Sequence, residues 1–125
     1  MRFFMPIVVA LLSVAAPASA SVVDHHVTPE NVAATDGIDV RVVRRSADRI
    51  VLRLTVERAS VGVYPPLVRD RDGAPGRRVP FDDPDADPLV VTVVLRGPDA
   101  VVTVMRDFGL VGHSYEIRAR DWAAP

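Results

Sequence analysis

The chain has 125 residues, 16 acidic side chains, 15 basic side chains that are all arginine, and no cysteine, for a formal charge of −1. This length suits one domain and excludes large multidomain architectures. The balanced charge argues against nucleic acid as a partner. The absence of cysteine excludes disulfides, thiol nucleophiles and thiolate metal sites.

The first 20 residues have the pattern of a secretory signal peptide. Arg2 gives a positive start, residues 3–12 are largely apolar, and Ala18-Ser19-Ala20 is an A-x-A cleavage site. We expect cleavage after Ala20 and a secreted or periplasmic product without a membrane span. An uncleaved anchor is the alternative, but the apolar run is shorter than the ~18–20 residues that a span needs.

The next part of the chain predicts a hairpin. Residues 21–37 read as a polar lead-in that precedes the domain, with one weak apolar patch at Val22-Val23. Residues 38–44 and 49–58 then alternate between apolar and polar side chains, which is typical of strands with one buried face. The turn-like Ser46-Ala47-Asp48 separates them, and residues 60–64 predict a short third strand.

The carboxyl half continues with strands. Residues 89–95 are apolar on both faces and rich in valine, which favours a central strand. The turn Gly97-Pro98-Asp99 predicts a return strand over 100–106, and residues 113–120 alternate again.

These elements predict an all-β domain over residues 38–122. Several short antiparallel strands favour a β-sandwich, immunoglobulin-like in the broad sense, with a small β-barrel as the alternative. Trp122 is expected to hold the end of this domain against the core.

Residues 65–88 form a long segment with no strand signal, rich in proline and aspartate. Loops this long are usually functional or disordered. We therefore predict a binding surface formed by Tyr64, Asp70, Asp72, Asp82, Asp83, Asp85 and Asp87. The four carboxylates within residues 82–87 make calcium a possible cofactor, although the spacing does not fit an EF-hand and a solvated loop needs no ion.

The three histidines suggest a second metal site. His25, His26 and His113 could together bind zinc or copper. Adjacent histidines on an extended chain point in opposite directions, which works against this site. A half-buried structural role for His113, on one face with Tyr115 and Ile117, is the alternative.

The sequence predicts no catalytic residues. Ser114, His113 and Asp107 could be combined into a triad on paper, but the Gly-x-Ser-x-Gly turn of hydrolases is absent. Phosphate-binding, dinucleotide-binding and HExxH motifs are also absent. A small hydrolase is kept only as a remote alternative.

One stretch carries a resemblance to a known family. The run Val90-Val91-Thr92-Val93-Val94-Leu95, the turn Pro98-Asp99-Ala100 and the strand Val102-Thr103-Val104 resemble the propeptide domain of gingipain-type secreted cysteine peptidases, with residues 80–88 as its Pro-rich stretch. The similarity covers at most residues 50–106. It implies a β-sandwich module that covers or chaperones an enzyme, since this chain has no cysteine nucleophile.

Together these patterns favour an exported, non-catalytic interaction module. Its expected partner is an envelope or extracellular protein or a surface polymer, contacted through an edge strand or the long loop. A secreted metal-binding module is the alternative.

Overall fold

The computed structural model describes residues 21–58 and 62–123, so the signal-peptide interpretation of residues 1–20 lies outside the described residues. Within these ranges the chain forms nine strands, a short 3₁₀ helix and one turn of α-helix. Their bounds are β1 Ser21–His26, 3₁₀ Val32–Ala34, β2 Ile38–Arg45, β3 Arg49–Val56, β4 Gly62–Val63, β5 Leu67–Arg69, β6 Gly76–Arg78, β7 Leu89–Arg96, β8 Val101–Asp107, β9 Val111–Arg118 and α1 Ala119–Trp122.

The strands form two sheets packed face to face, which confirms the all-β sandwich. One sheet has the order β1-β9-β8-β5-β6 with β4 also paired to β8, and the other has the order β2-β3-β7. The chain changes sheet four times, between β1 and β2, β3 and β4, β6 and β7, and β7 and β8, as in sandwiches of the broad immunoglobulin type. The described strands therefore make two separate sheets and not one closed barrel.

The core lies between β3 and β7 on one side and β8 and β9 on the other. Alternate residues of these strands point inward, so valine and leucine side chains from both sheets interlock. The side chains that are essentially inaccessible to water include Leu52, Leu54, Val56, Val91, Val93, Leu95, Val102, Val104 and Ile117. Burial of each such side chain contributes roughly 1.5–3 kcal/mol relative to exposure.

The predicted hairpin is confirmed. Strands β2 and β3 pair from Ile38↔Val56 to Arg45↔Ile50, with a bulge between Val42 and Arg44. The predicted third strand corresponds to β4, which pairs with the end of β8. Residues 59–61 lie outside the described part of the chain.

The lead-in prediction for residues 21–37 is wrong at its start. Residues 21–26 form β1, which runs parallel to β9 with Ser21 opposite Val111 and His26 opposite Glu116. The strand was missed because its partner lies at the other end of the chain. Its inward positions also include a histidine, which interrupts the apolar alternation.

The central-strand prediction for residues 89–95 is also wrong, because β7 is an edge of the three-stranded sheet and β3 is its centre. Residues 79–88 cover the free edge of β7, where the amide of Asp82 donates to the Val90 carbonyl at 2.8 Å. Covering an edge in this way blocks pairing with another chain. The following turn leads to β8 in the opposite sheet, so β7 and β8 are not a hairpin.

The segment 65–88 is largely structured. Its first half contains β5 and β6, which pair with each other, and β5 also pairs with β8. In its second half, Arg58 Nη1 donates to the Pro84 carbonyl at 2.7 Å. These strands were not predicted because each has only three residues, too few to show an alternating pattern.

The end of the domain is held as expected. Trp122 is buried, and its indole Nε1 donates to the Val27 carbonyl at 3.1 Å. This bond ties α1 to the chain leaving β1. Across residues 21–58 and 62–123, no helix has the length and apolar character to cross a membrane.

Candidate binding site

At one end of the sandwich, the inward-facing rows of β1, β8 and β9 change from apolar to polar and aromatic. On the inner face of β9, the buried Ile117 has Tyr115 and then His113 as its neighbours toward the start of the strand. On β8 the buried Val104 is followed by Arg106, which lies opposite His113 in the strand register. Period-two alternation therefore places an arginine and a histidine at core-facing positions.

Arg106 is the most unusual residue at this end. Its side chain is only 3% exposed. Nη1 donates to the Asp36 carbonyl at 3.4 Å and to the Tyr115 hydroxyl at 3.3 Å. Nε is buried without a hydrogen-bond partner in the described part of the chain. No ion pair to Arg106 is found there either.

Such a guanidinium is costly. Buried charges are usually paired, and buried donors are nearly always hydrogen-bonded. Arg106 instead has a neutral hydroxyl, a backbone carbonyl and the Phe108 ring, whose centroid lies 4.9 Å from Cζ. Among the described residues, the positive charge is therefore stabilised by dipoles and by a cation–π contact.

His25 and His113 meet beside this arginine. His25 Nε2 lies 2.7 Å from His113 Nδ1, and the His25 ring stacks on Tyr115 with centroids 4.7 Å apart. One ring must donate and the other accept, so the accepting ring is neutral. Burial and then the neighbouring His113 lower the pKa of His25 from its usual 6.5, against the opposing effect of Asp24.

The chain between β1 and β2 covers these residues. Gly37 has φ of +80° and lies against the guanidinium, so that a Cβ at this position would be 2.2 Å from Arg106 Nη1. The Gly37 carbonyl also accepts from the amide of Glu57 at 2.9 Å, which anchors the segment to the end of β3. Glycine is needed here both for its dihedral angle and for the close approach.

A cavity of about 450 Å³ remains between this segment and the sheet. Its size lies within the range of sites for small ligands. We call it the Arg106 cavity; its walls are His25, Ala34, Thr35, Asp36, Arg106, Phe108, His113 and Tyr115.

The predicted three-histidine metal site is not assembled. His26 lies on the outer face of the sheet, where its Nε2 is 2.6 Å from Glu116 Oε1, while His25 and His113 lie on the inner face. Burial raises the pKa of Glu116, but hydrogen bonds from His26 and Arg118 outweigh it and leave that pKa below 4.5. Within the described ranges no group of three potential ligands is placed to hold a metal ion.

The predicted loop surface is divided among separate places. The amide of Tyr64 donates to Met105 near the cavity end of β8, whereas β5 carries the chain to the opposite end, where Arg69 pairs with Val101 just before Asp70 and Asp72. Asp83 accepts from the amide of Asp85 at 3.0 Å. The remaining predicted residues, Asp82, Asp85 and Asp87, are exposed.

The triad of Ser114, His113 and Asp107 is not assembled either. His113 and Ser114 are consecutive residues of β9 and so project from opposite faces of the sheet. The Asp107 carboxylate accepts from the amide of Gly109 at 2.9 Å.

Sequence reasoning found His25 and His113 but missed Arg106, Tyr115 and their meeting place. A usable signal was present, because Val102, Val104 and Arg106 occupy alternate positions of one strand. That parity puts the arginine on the buried face.

No family model matches this chain, and comparisons with curated proteins and with solved structures found no match. The resemblance to gingipain propeptides therefore stays a prediction. The class supported by the geometry is a β-sandwich with a cavity at one end.

Proposed function

We propose that this chain is an exported, non-catalytic binding module and that its partner is recognised at the Arg106 cavity. The observation that supports this proposal is the buried Arg106 guanidinium, which has no carboxylate partner among the described residues and a free Nε donor. A protein gains no stability from an unpaired buried charge. A ligand group that complements the charge gives the residue a role.

The surroundings of the cavity also favour binding over catalysis. The His25–His113 pair is engaged in a mutual hydrogen bond, and the Tyr115 hydroxyl accepts from Arg106. These hydrogen bonds hold the cavity's polar side chains in defined positions. Polar groups fixed in this way are what give a binding site its specificity. The partner that fits an exported module is an envelope or extracellular protein or a surface polymer.

A variant pair in the covering segment tests this proposal. Ala34 and Ala33 are both exposed and adjacent, but only Ala34 lines the cavity. Ala34→Trp should obstruct the cavity, whereas Ala33→Trp adds the same indole outside it. The wild-type protein and both variants would be immobilised and exposed to an envelope and culture-medium extract, with bound components identified by mass spectrometry.

The proposal predicts that one component is retained by the wild type and by Ala33→Trp and is lost with Ala34→Trp. Equal retention by all three proteins would mean that the binding surface lies outside the Arg106 cavity. Export would be examined in parallel, by measuring whether the intact mass of the exported product begins at Ser21.

A further inference from the structure

The ligand chemistry can be inferred from what the cavity lacks. Asp36, the one acidic residue in its wall, turns its backbone carbonyl to Arg106, and its carboxylate makes no ion pair with that guanidinium. Tyr115 and the histidine pair supply other polar side chains of the wall. The site thus has a buried positive charge that forms no ion pair with any residue of the described ranges.

A carboxylate is the group that matches this deficit. Guanidinium groups bind carboxylates through paired charge-assisted hydrogen bonds, and such bonds are about twice as strong as neutral ones. The unpaired Nε of Arg106 is the donor that a carboxylate oxygen would accept from. The Phe108 ring lies over the guanidinium, with its centroid 4.9 Å from Cζ, and is 43% exposed.

Exposed apolar side chains lie beside the cavity wall. Phe108, Leu110, Val111 and Val23 are all exposed at this end, and Leu110 is 77% exposed. Phe108 is itself a wall residue, Val23 lies opposite the wall residue His113 in the strand register, and the amide of Ser21 donates to the Leu110 carbonyl. We call these four residues the apolar rim. Clustered exposed apolar side chains next to a polar cavity are characteristic of binding sites.

We infer that the Arg106 cavity binds a carboxylate attached to an apolar group, with the carboxylate on Arg106 and the apolar group against the apolar rim. This inference rests on the proposed function and names its ligand class. Two sources present this chemistry: a free apolar carboxylic acid, and the carboxyl terminus of a protein that ends in apolar residues.

Matched acids and amides distinguish carboxylate recognition from apolar contact alone. The probes are 3-phenylpropionate and 3-phenylpropionamide for a free acid, and acetyl-Leu-Phe with a free or an amidated carboxyl terminus for a protein end. Each would be titrated into the ¹⁵N-labelled exported protein by NMR, with calorimetry for affinity. At least one acid should bind about tenfold or more tightly than its amide, because a charge-assisted bond is lost in the amide.

The variants locate the binding. Arg106→Gln should abolish the preference for acid over amide, while Arg53→Gln, on the exposed face of the other sheet, should leave it unchanged. If Arg106→Gln does not fold, Ala34→Trp takes its place and should weaken both acid and amide relative to Ala33→Trp. The inference is overturned if neither acid binds, if acid and amide bind equally, or if Arg106→Gln keeps the preference.

The probe titrations also distinguish a free acid from a protein carboxyl terminus. Together with the extract experiment, they separate the carboxylate inference from the proposed binding function. Stronger binding of the peptide acid assigns a protein carboxyl terminus, and stronger binding of 3-phenylpropionate assigns a free acid. If no acid binds but an extract component is still lost with Ala34→Trp, the binding function stands and the carboxylate inference fails. If an acid binds through Arg106 but no extract component is retained, the carboxylate assignment stands and the proposal of a macromolecular partner is contradicted.

Discussion

Gly37 and Arg106 approach so closely that no side chain fits between them. A Cβ on Gly37 would lie 2.2 Å from Nη1 and 2.6 Å from Cζ of the guanidinium. The segment that covers the cavity and the charged group beneath it are therefore fitted to each other. Changing either residue should alter the shape of the cavity.

Gly37→Ala should destabilise the protein more than Gly73→Ala. Both glycines have φ of +80°, which costs a non-glycine residue roughly 1–2 kcal/mol. Gly73 has open space around it, so its variant bears only that cost. At Gly37 the collision with Arg106 is added, and urea unfolding should show the larger loss there. Equal losses would mean that the arginine moves aside freely.

Arg106→Met should leave the free energy of unfolding within about 1 kcal/mol of the wild type, or raise it. Replacing a buried ion pair by apolar residues of similar volume is often neutral or stabilising, and Arg106 lacks even the attraction of a paired carboxylate in the described ranges. A change in the core gives the contrast, since Leu54→Ala should cost about 2–5 kcal/mol. Denaturant titration of both variants measures their free energies of unfolding for comparison with the wild type. A loss at Arg106 as large as that at Leu54 would indicate a structural role for the arginine.

Thermal stability should fall as the pH drops below about 6.5. The folded protein holds the pKa of His25 below 6.5, so in this window the unfolded chain binds more protons than the folded one. The stabilisation is therefore complete above 6.5 and is lost toward lower pH. Melting curves between pH 8 and pH 5 would measure it.

Matched histidine variants separate this effect from others. His25→Gln should flatten the decline between pH 6.5 and pH 5, whereas His26→Gln, on the outer face, should keep it. Because the pKa of Glu116 is depressed, a second loss of thermal stability begins only as the pH falls below 4.5. An unchanged slope in His25→Gln would assign the decline to another group.

Trp122 should be a major anchor of the domain end. Trp122→Ala should cost about 3–5 kcal/mol, since it removes a large buried ring. Trp122→Phe keeps most of the ring but loses the bond to the Val27 carbonyl, at about 0.5–1.5 kcal/mol. Urea unfolding followed by circular dichroism suits all variants, because this is the chain's single tryptophan. A cost for Trp122→Phe close to that of Trp122→Ala would point to the hydrogen bond as the main term.

Zinc should not raise the melting temperature through the three histidines, because His26 lies on the opposite face from His25 and His113. Saturating a site at 100 times its dissociation constant would add about 2.7 kcal/mol, which a thermal scan detects readily. The same scan with calcium tests the acidic residues of segment 79–88. A zinc-dependent rise that disappears in His26→Gln would restore the three-histidine site.

The sequence by itself determined the fold class and the clearest strands. Alternating valine and leucine over residues 38–56 can bury one face only as strands, and the same period carries through β8 and β9. Trp122 was also placed correctly, since a lone large apolar side chain near a domain end needs a core to cover it. These conclusions depend on local periodicity, which one stretch of sequence contains in full.

Only the tertiary structure decided the rest. The parallel pairing of β1 with β9 joins the two ends of the described chain and brings His25 to His113. The placement of β7 and β8 in different sheets, and of Gly37 against Arg106, depends on how the layers pack. Such contacts join residues far apart in the chain, and their free energy comes from mutual burial, so no single segment encodes them.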